Sequence, residues 1–73
     1  MEKVIITMGY DEKLKTYKVY VTFGDDDEQH ILFTGDKDYA TAAYYSAISL
    51  LDAMNNMSNV EIYEIVEKNN VQR

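Results

Sequence analysis

The chain has no cysteine, no proline and no tryptophan, and only one histidine and three glycines among its 73 residues. Without cysteine it holds no disulfide, no thiolate zinc site and no thiol nucleophile. With His30 as the one imidazole, a His-rich metal centre is excluded as well. Small domains bury thin cores and often add a disulfide, a metal or a second subunit to stay folded. Of these, oligomerisation is the one left open. The glycines, at positions 9, 24 and 35, are isolated, so there is no glycine-rich phosphate loop. No run approaches the ~18–20 consecutive apolar residues of a membrane span, so no membrane association is predicted. The first residues, Met1-Glu2-Lys3-Val4, show none of the three regions of a signal peptide. The expectation is a cytoplasmic protein, a single domain over residues 1–73, with no cofactor and no metal. The missing proline and tryptophan, and the excess of lysine over arginine, fit a low-GC bacterial or phage gene, the latter acting in a host cytoplasm.

Charge is present and one-sided. The net charge is −6. Its centre is residues 25–38, where Asp25, Asp26, Asp27, Glu28, Asp36 and Asp38 face Lys37 alone. An acidic surface repels phosphate backbones, so direct nucleic-acid binding is not expected.

Period and punctuation give the elements. Val4 to Met8 is a short apolar, β-branched run that reads as a central strand, with a turn from Gly9 to Lys13. Thr16 to Phe23 alternates, with Tyr17, Val19, Val21 and Phe23 on one face and Thr16, Lys18, Tyr20 and Thr22 on the other. Gly24 to Asp27 suits a hairpin connection. Gln29 to Thr34 reads as a third strand, with Ile31 and Phe33 on one face and His30 and Leu32 on the other. A helix is predicted from about Tyr39 to Met54 or Met57, capped by Asp36 or Asp38. Its core arc is Ala40, Ala43, Tyr44, Ala47, Ile48, Leu50, Leu51 and Met54. Val60 to Val66 reads as a fourth strand, with a helix as the alternative, because Glu61, Glu64 and Glu67 step by three, which suits a helix better unless a bulge accounts for it. Residues 68–73 read as a frayed polar tail.

The predicted fold is therefore α+β, in the order β-β-β-α-β. It has a four-stranded mixed sheet, with one helix packed on one face and a semi-polar second face open to water. This order resembles that of the first half of the ribonuclease H family, which implies a set of metal-binding acids on the first strand, early in the helix and at the end of the fourth strand. Here the first strand has no acid, and Ser46 and Ile65 stand at the other two positions. The triad is absent, and no family follows from a shared order of elements.

Two constellations remain. The acids at Asp25, Asp26, Asp27, Glu28, Asp36 and Asp38 offer hard oxygen ligands, but without the alternation and central glycine of a calcium loop. They read either as a solvated surface or as an edge that presents phosphate-like charge to a basic groove. The second constellation is on the helix, which carries a single charge, Asp52, between Tyr39 and Met57. Opposite its core arc, Ala42, Ser46, Ser49 and Ala53 form a small-residue stripe flanked by Tyr45 and Asp52, a surface suited to a second helix across a two-fold axis. No nucleophile–base pair can be assembled, so no enzyme activity is predicted. The expectation is a small acidic protein-binding module, an inhibitor of phage type that targets a basic, nucleic-acid-handling protein of a host or its defences. A homodimer through the helix is expected. The alternative is an accessory subunit whose charge serves solubility alone.

Overall fold

The computed structural model describes residues 2–56 and 59–67. It contains β1 (Glu2–Asp11), β2 (Thr16–Phe23), β3 (His30–Gly35), α1 (Lys37–Asn55) and β4 (Val60–Val66). The sheet order is β3-β2-β1-β4, with β1 antiparallel to β2, β2 antiparallel to β3, and β1 parallel to β4. This is the α+β, β-β-β-α-β arrangement of a four-stranded mixed sheet with one helix. The predicted tail at 68–73 lies outside the described residues.

β1 is central, and its apolar run serves both faces. Ile6 and Met8 face α1, where they meet Val19 and Val21 of β2 and Ala40, Tyr44 and Ile48 of the helix, and Val4 is buried on the same side of the strand. Ile6 and Val19 are fully buried there. β1 is longer than its apolar run suggests. It continues through Gly9 and Tyr10 to Asp11 because each of these pairs with β2. The turn is therefore Glu12 to Lys15, not Gly9 to Lys13. Asp11 holds that turn, its carboxylate accepting the backbone N–H groups of Lys13 at 2.9 Å and Leu14 at 3.0 Å.

Two predictions about facing are corrected. In β3, a register shift opposite Val19 and Tyr20 leaves Leu32 as an extra residue, so Phe33 pairs with Val19 and Ile31 pairs with Tyr20. Paired residues share a face, so Phe33 joins the helix-side core and Ile31 goes to the opposite face. In α1, Leu50 and Met54 are exposed rather than packed on the sheet. Leu50 lies about 120° around the helix from Tyr44, outside the reach of the strands below.

β4 runs without a bulge. Glu64 falls on the helix side and Glu61 on the other, and both are exposed because β4 is an edge strand. Charge along one edge and a bulge along the other are the usual means by which proteins discourage strands from adding to a sheet. Asp36 takes the N-cap position of α1 with extended backbone, but its side chain makes no cap hydrogen bond. Asp38, in the first turn, complements the positive end of the helix dipole. No helix among the described residues is long and apolar enough to cross a membrane.

Candidate binding site on the open sheet face

α1 covers one face of the sheet, and the other face is not the flat wetted surface that the sequence suggests. Two cross-strand pairs, Ile5–Thr22 and Thr7–Tyr20, lie side by side on it, with Ile65 of β4 next to Thr7. Together they floor a hollow of about 450 Å³. One wall is the β2–β3 connection, Gly24 to Asp27 with Gln29, and the other is Glu67.

Local chemistry shapes both walls. Gly24 takes φ +58°, a conformation glycine adopts without steric cost, and the Asp26 N–H closes the turn on the Phe23 carbonyl at 3.0 Å. The Asp26 carboxylate then accepts the Glu28 N–H at 3.0 Å. On the far side, the Glu67 N–H donates to the Met8 carbonyl at 2.8 Å and extends the β1–β4 ladder by one residue. This places the Glu67 side chain over Gly9, in space that any Cβ on Gly9 would occupy.

The floor is largely buried but not inert. Thr7 and Tyr20 are more than nine-tenths buried. Neither hydroxyl has a hydrogen-bond partner among the described residues, and neither is sealed from the surface. Four acidic residues, Asp25, Asp26, Asp27 and Glu67, line the hollow, and no basic residue does among the described residues. The ion pair among the described residues is elsewhere, from Lys18 to Asp11 at 3.3 Å. The Leu14 backbone N–H and then Lys18 hold the Asp11 carboxyl below the usual aspartate range.

The predicted acidic edge is thus divided. Asp25, Asp26, Asp27 and Glu28 stand together on the β2–β3 connection, all exposed. Asp36 and Asp38 are at the other end of β3, about 20 Å away at strand rise. On α1, Ala42, Tyr45, Ser46, Ser49, Asp52 and Ala53 are all exposed, as a surface opposite the core requires.

Sequence reasoning did not find the hollow, because its floor draws on three strands distant in the chain. It also passed over a small donor set. Asp26, Glu28 and His30 bring one ligand atom each within 4.8 Å of one another, and the His30 ring packs on Phe23 at 5.3 Å between centroids. Their spacing of two residues, which puts alternate side chains of an extended segment on one side, was the available signal. Comparison with protein-family models, curated proteins and solved structures gives no match.

Proposed function

We propose that this chain is a protein-binding module that engages a basic surface of its partner through the β2–β3 connection. The observation that carries this reading is the set Asp25, Asp26, Asp27 and Glu28. All four are exposed on one short segment, and none is neutralised by an ion pair among the described residues. Unpaired like charges held together repel one another, and a cationic partner relieves that repulsion. The finer form of the proposal is an inhibitor of phage type. It occupies the nucleic-acid site of a host or defence protein with carboxylates in place of phosphates. Such complementarity acts chiefly on association rate and choice of partner.

The test is capture from host lysate at two ionic strengths, by the native chain and by a variant with Asp25, Asp26 and Asp27 changed to asparagine. The proposal expects a nucleic-acid-handling protein that is retained at low salt, released at higher salt and lost with the variant. Captured proteins indifferent to both changes would sink it.

A second reading, an accessory subunit that self-associates through α1, is favoured by a separate observation. Tyr39, Tyr45, Leu50 and Met54 are exposed around the Ala42–Ser46–Ser49–Ala53 stripe, leaving the outer helix face apolar and almost uncharged. Ser49→Arg separates the cases by light scattering, since it halves the mass of a helix-paired dimer and leaves a monomer unchanged.

A further inference from the structure

We propose that the hollow on the open sheet face is the seat of an arginine side chain of the partner protein. The proposal rests on the reading above, that the partner is basic, and adds where and how its charge is held. Three independent features of the hollow converge on that chemistry.

The first is charge. Asp25, Asp26 and Asp27 flank it on one side and Glu67 on the other, with no lysine, arginine or histidine lining it among the described residues. Carboxylates at both ends of one concavity place a negative potential over it. The second is the floor. Ile5, Ile65 and the Tyr20 ring present an apolar bed for the methylene stem of a long side chain, which buries its stem while its charged head stays solvated. The third is the pair of unpartnered hydroxyls on Thr7 and Tyr20, each in a residue more than nine-tenths buried. A hydroxyl oxygen accepts hydrogen bonds, and a guanidinium carries five N–H donors in a fixed planar fork. Its spread of donors suits a site where hydroxyls on the floor stand beside carboxylates on the rim. A lysine ammonium offers three donors at a single point.

The same face already draws cations from its own chain. Lys18 Nζ lies 5.2 Å from the Tyr20 ring centroid, and Lys3 Nζ lies 5.4 Å from that of Tyr63. Lys18 Nζ also donates to Gln29 Oε1 in one wall at 2.9 Å, but the ion pair it makes is with Asp11, and no ion pair among the described residues engages the carboxylates of the hollow. The volume, about 450 Å³, is within the range of small-ligand sites and accommodates one long side chain with its adjoining backbone.

The probes are blocked tripeptides with arginine, lysine or citrulline at the centre. Each is titrated at low ionic strength into the full chain while the backbone amide resonances are followed. The expected result is that the arginine peptide moves the resonances of Ile5, Thr7, Tyr20 and Ile65, with the lysine peptide weaker. Citrulline, which keeps the shape and loses the charge, should be silent. Thr7→Val removes one floor hydroxyl and leaves every carboxylate in place. It should weaken the arginine peptide by ~10-fold, the loss of one hydrogen bond to a charged group. Glu67→Gln, at an exposed position that does not threaten the fold, should weaken it as well. A response confined to residues 25–28 and indifferent to Thr7→Val and Glu67→Gln would overturn the hollow while leaving the acidic connection as a partner surface. No response anywhere, even to a longer oligoarginine, would overturn both. A response to spermidine equal to that of the arginine peptide would overturn the assignment to a peptide side chain.

Discussion

The Glu67 carboxylate lies over Gly9, the residue that follows Met8 in the central strand, in space that only a missing side chain leaves free. Glycine inside a strand ordinarily weakens it, so its presence marks a place where something approaches closely. What approaches here is the carboxylate that forms one wall of the open-face hollow. A local gap in β1 and the charge of a residue more than fifty positions later are thus one structural unit.

Gly9→Ala tests that unit. The new Cβ would meet the Glu67 carboxylate, a flexible end that can swing away, and the Glu67 Cβ at 3.3 Å, which a shift of a few tenths of an ångström relieves with the sheet still paired. Stability should change by no more than about 1 kcal/mol, because alanine's lower conformational entropy in the unfolded chain offsets the contact. The Glu67 side chain should be displaced from the hollow, and side-chain resonances of Glu67 in native and variant protein would report it.

Ile6→Ala and Leu50→Ala should part sharply, although periodicity alone makes both core residues. Ile6 is fully buried between sheet and helix, and its truncation should cost about 2–5 kcal/mol, a large share of a small domain's total stability. Leu50 is 63% exposed, and its truncation should stay within about 0.5 kcal/mol. Urea midpoints of the two variants measure the difference directly.

The contrast shows how far sequence patterning reaches. β1 and β2 were legible because a period of two, or an unbroken apolar run, has one simple packing solution. Leu50 and Met54 were misassigned because a broad helical arc says which residues are apolar, not how much of the arc the strands beneath can cover. Ile31 was misassigned because one extra residue, Leu32, inverts the facing of part of β3, and parity counting cannot see a bulge. The glutamates of β4 looked wrong for a strand because a step of three puts Glu61 and Glu64 on opposite faces; at an edge, a glutamate on either face is solvated. The acidic wall of the hollow was legible as charge. Its floor was not, since Thr7, Tyr20 and Ile65 become neighbours only through pairing across β2, β1 and β4.

Asp11 should give the fold an acid-sensitive turn. Its carboxyl is held below its ordinary value of 3.8 by the Leu14 N–H first, and also by Lys18. A group with a depressed folded-state value stabilises the protein above its unfolded value and loses that contribution as pH falls through the folded one. Asp11→Asn should flatten this part of the stability-versus-pH curve below about pH 4, with little change in slope near neutrality. Thermal midpoints across an acid series would show it, and parallel curves for the two proteins would contradict the assignment.

Tyr44 should set a limit at the alkaline end. It is buried on the sheet-facing side of α1, and burial first, then the charge of Glu64 and the neighbouring Tyr45, pushes its phenol above the ordinary value of 10.0. The neutral phenol is therefore the form that the folded state favours. Its contribution is fully present below the unfolded value of 10.0 and is lost as pH rises from there through the raised folded value. Tyr44→Phe removes the titrating group and keeps the ring that packs against Tyr45 at 5.3 Å between centroids. The hydroxyl has no hydrogen-bond partner among the described residues, so this variant should match the native chain at neutral pH. Above about pH 10 it should lose stability less steeply, since one fewer shifted phenol ionises on unfolding. Glu64→Gln should lower the Tyr44 value by removing the second of these causes, which phenolate absorbance in the native state would register as an earlier onset of ionisation.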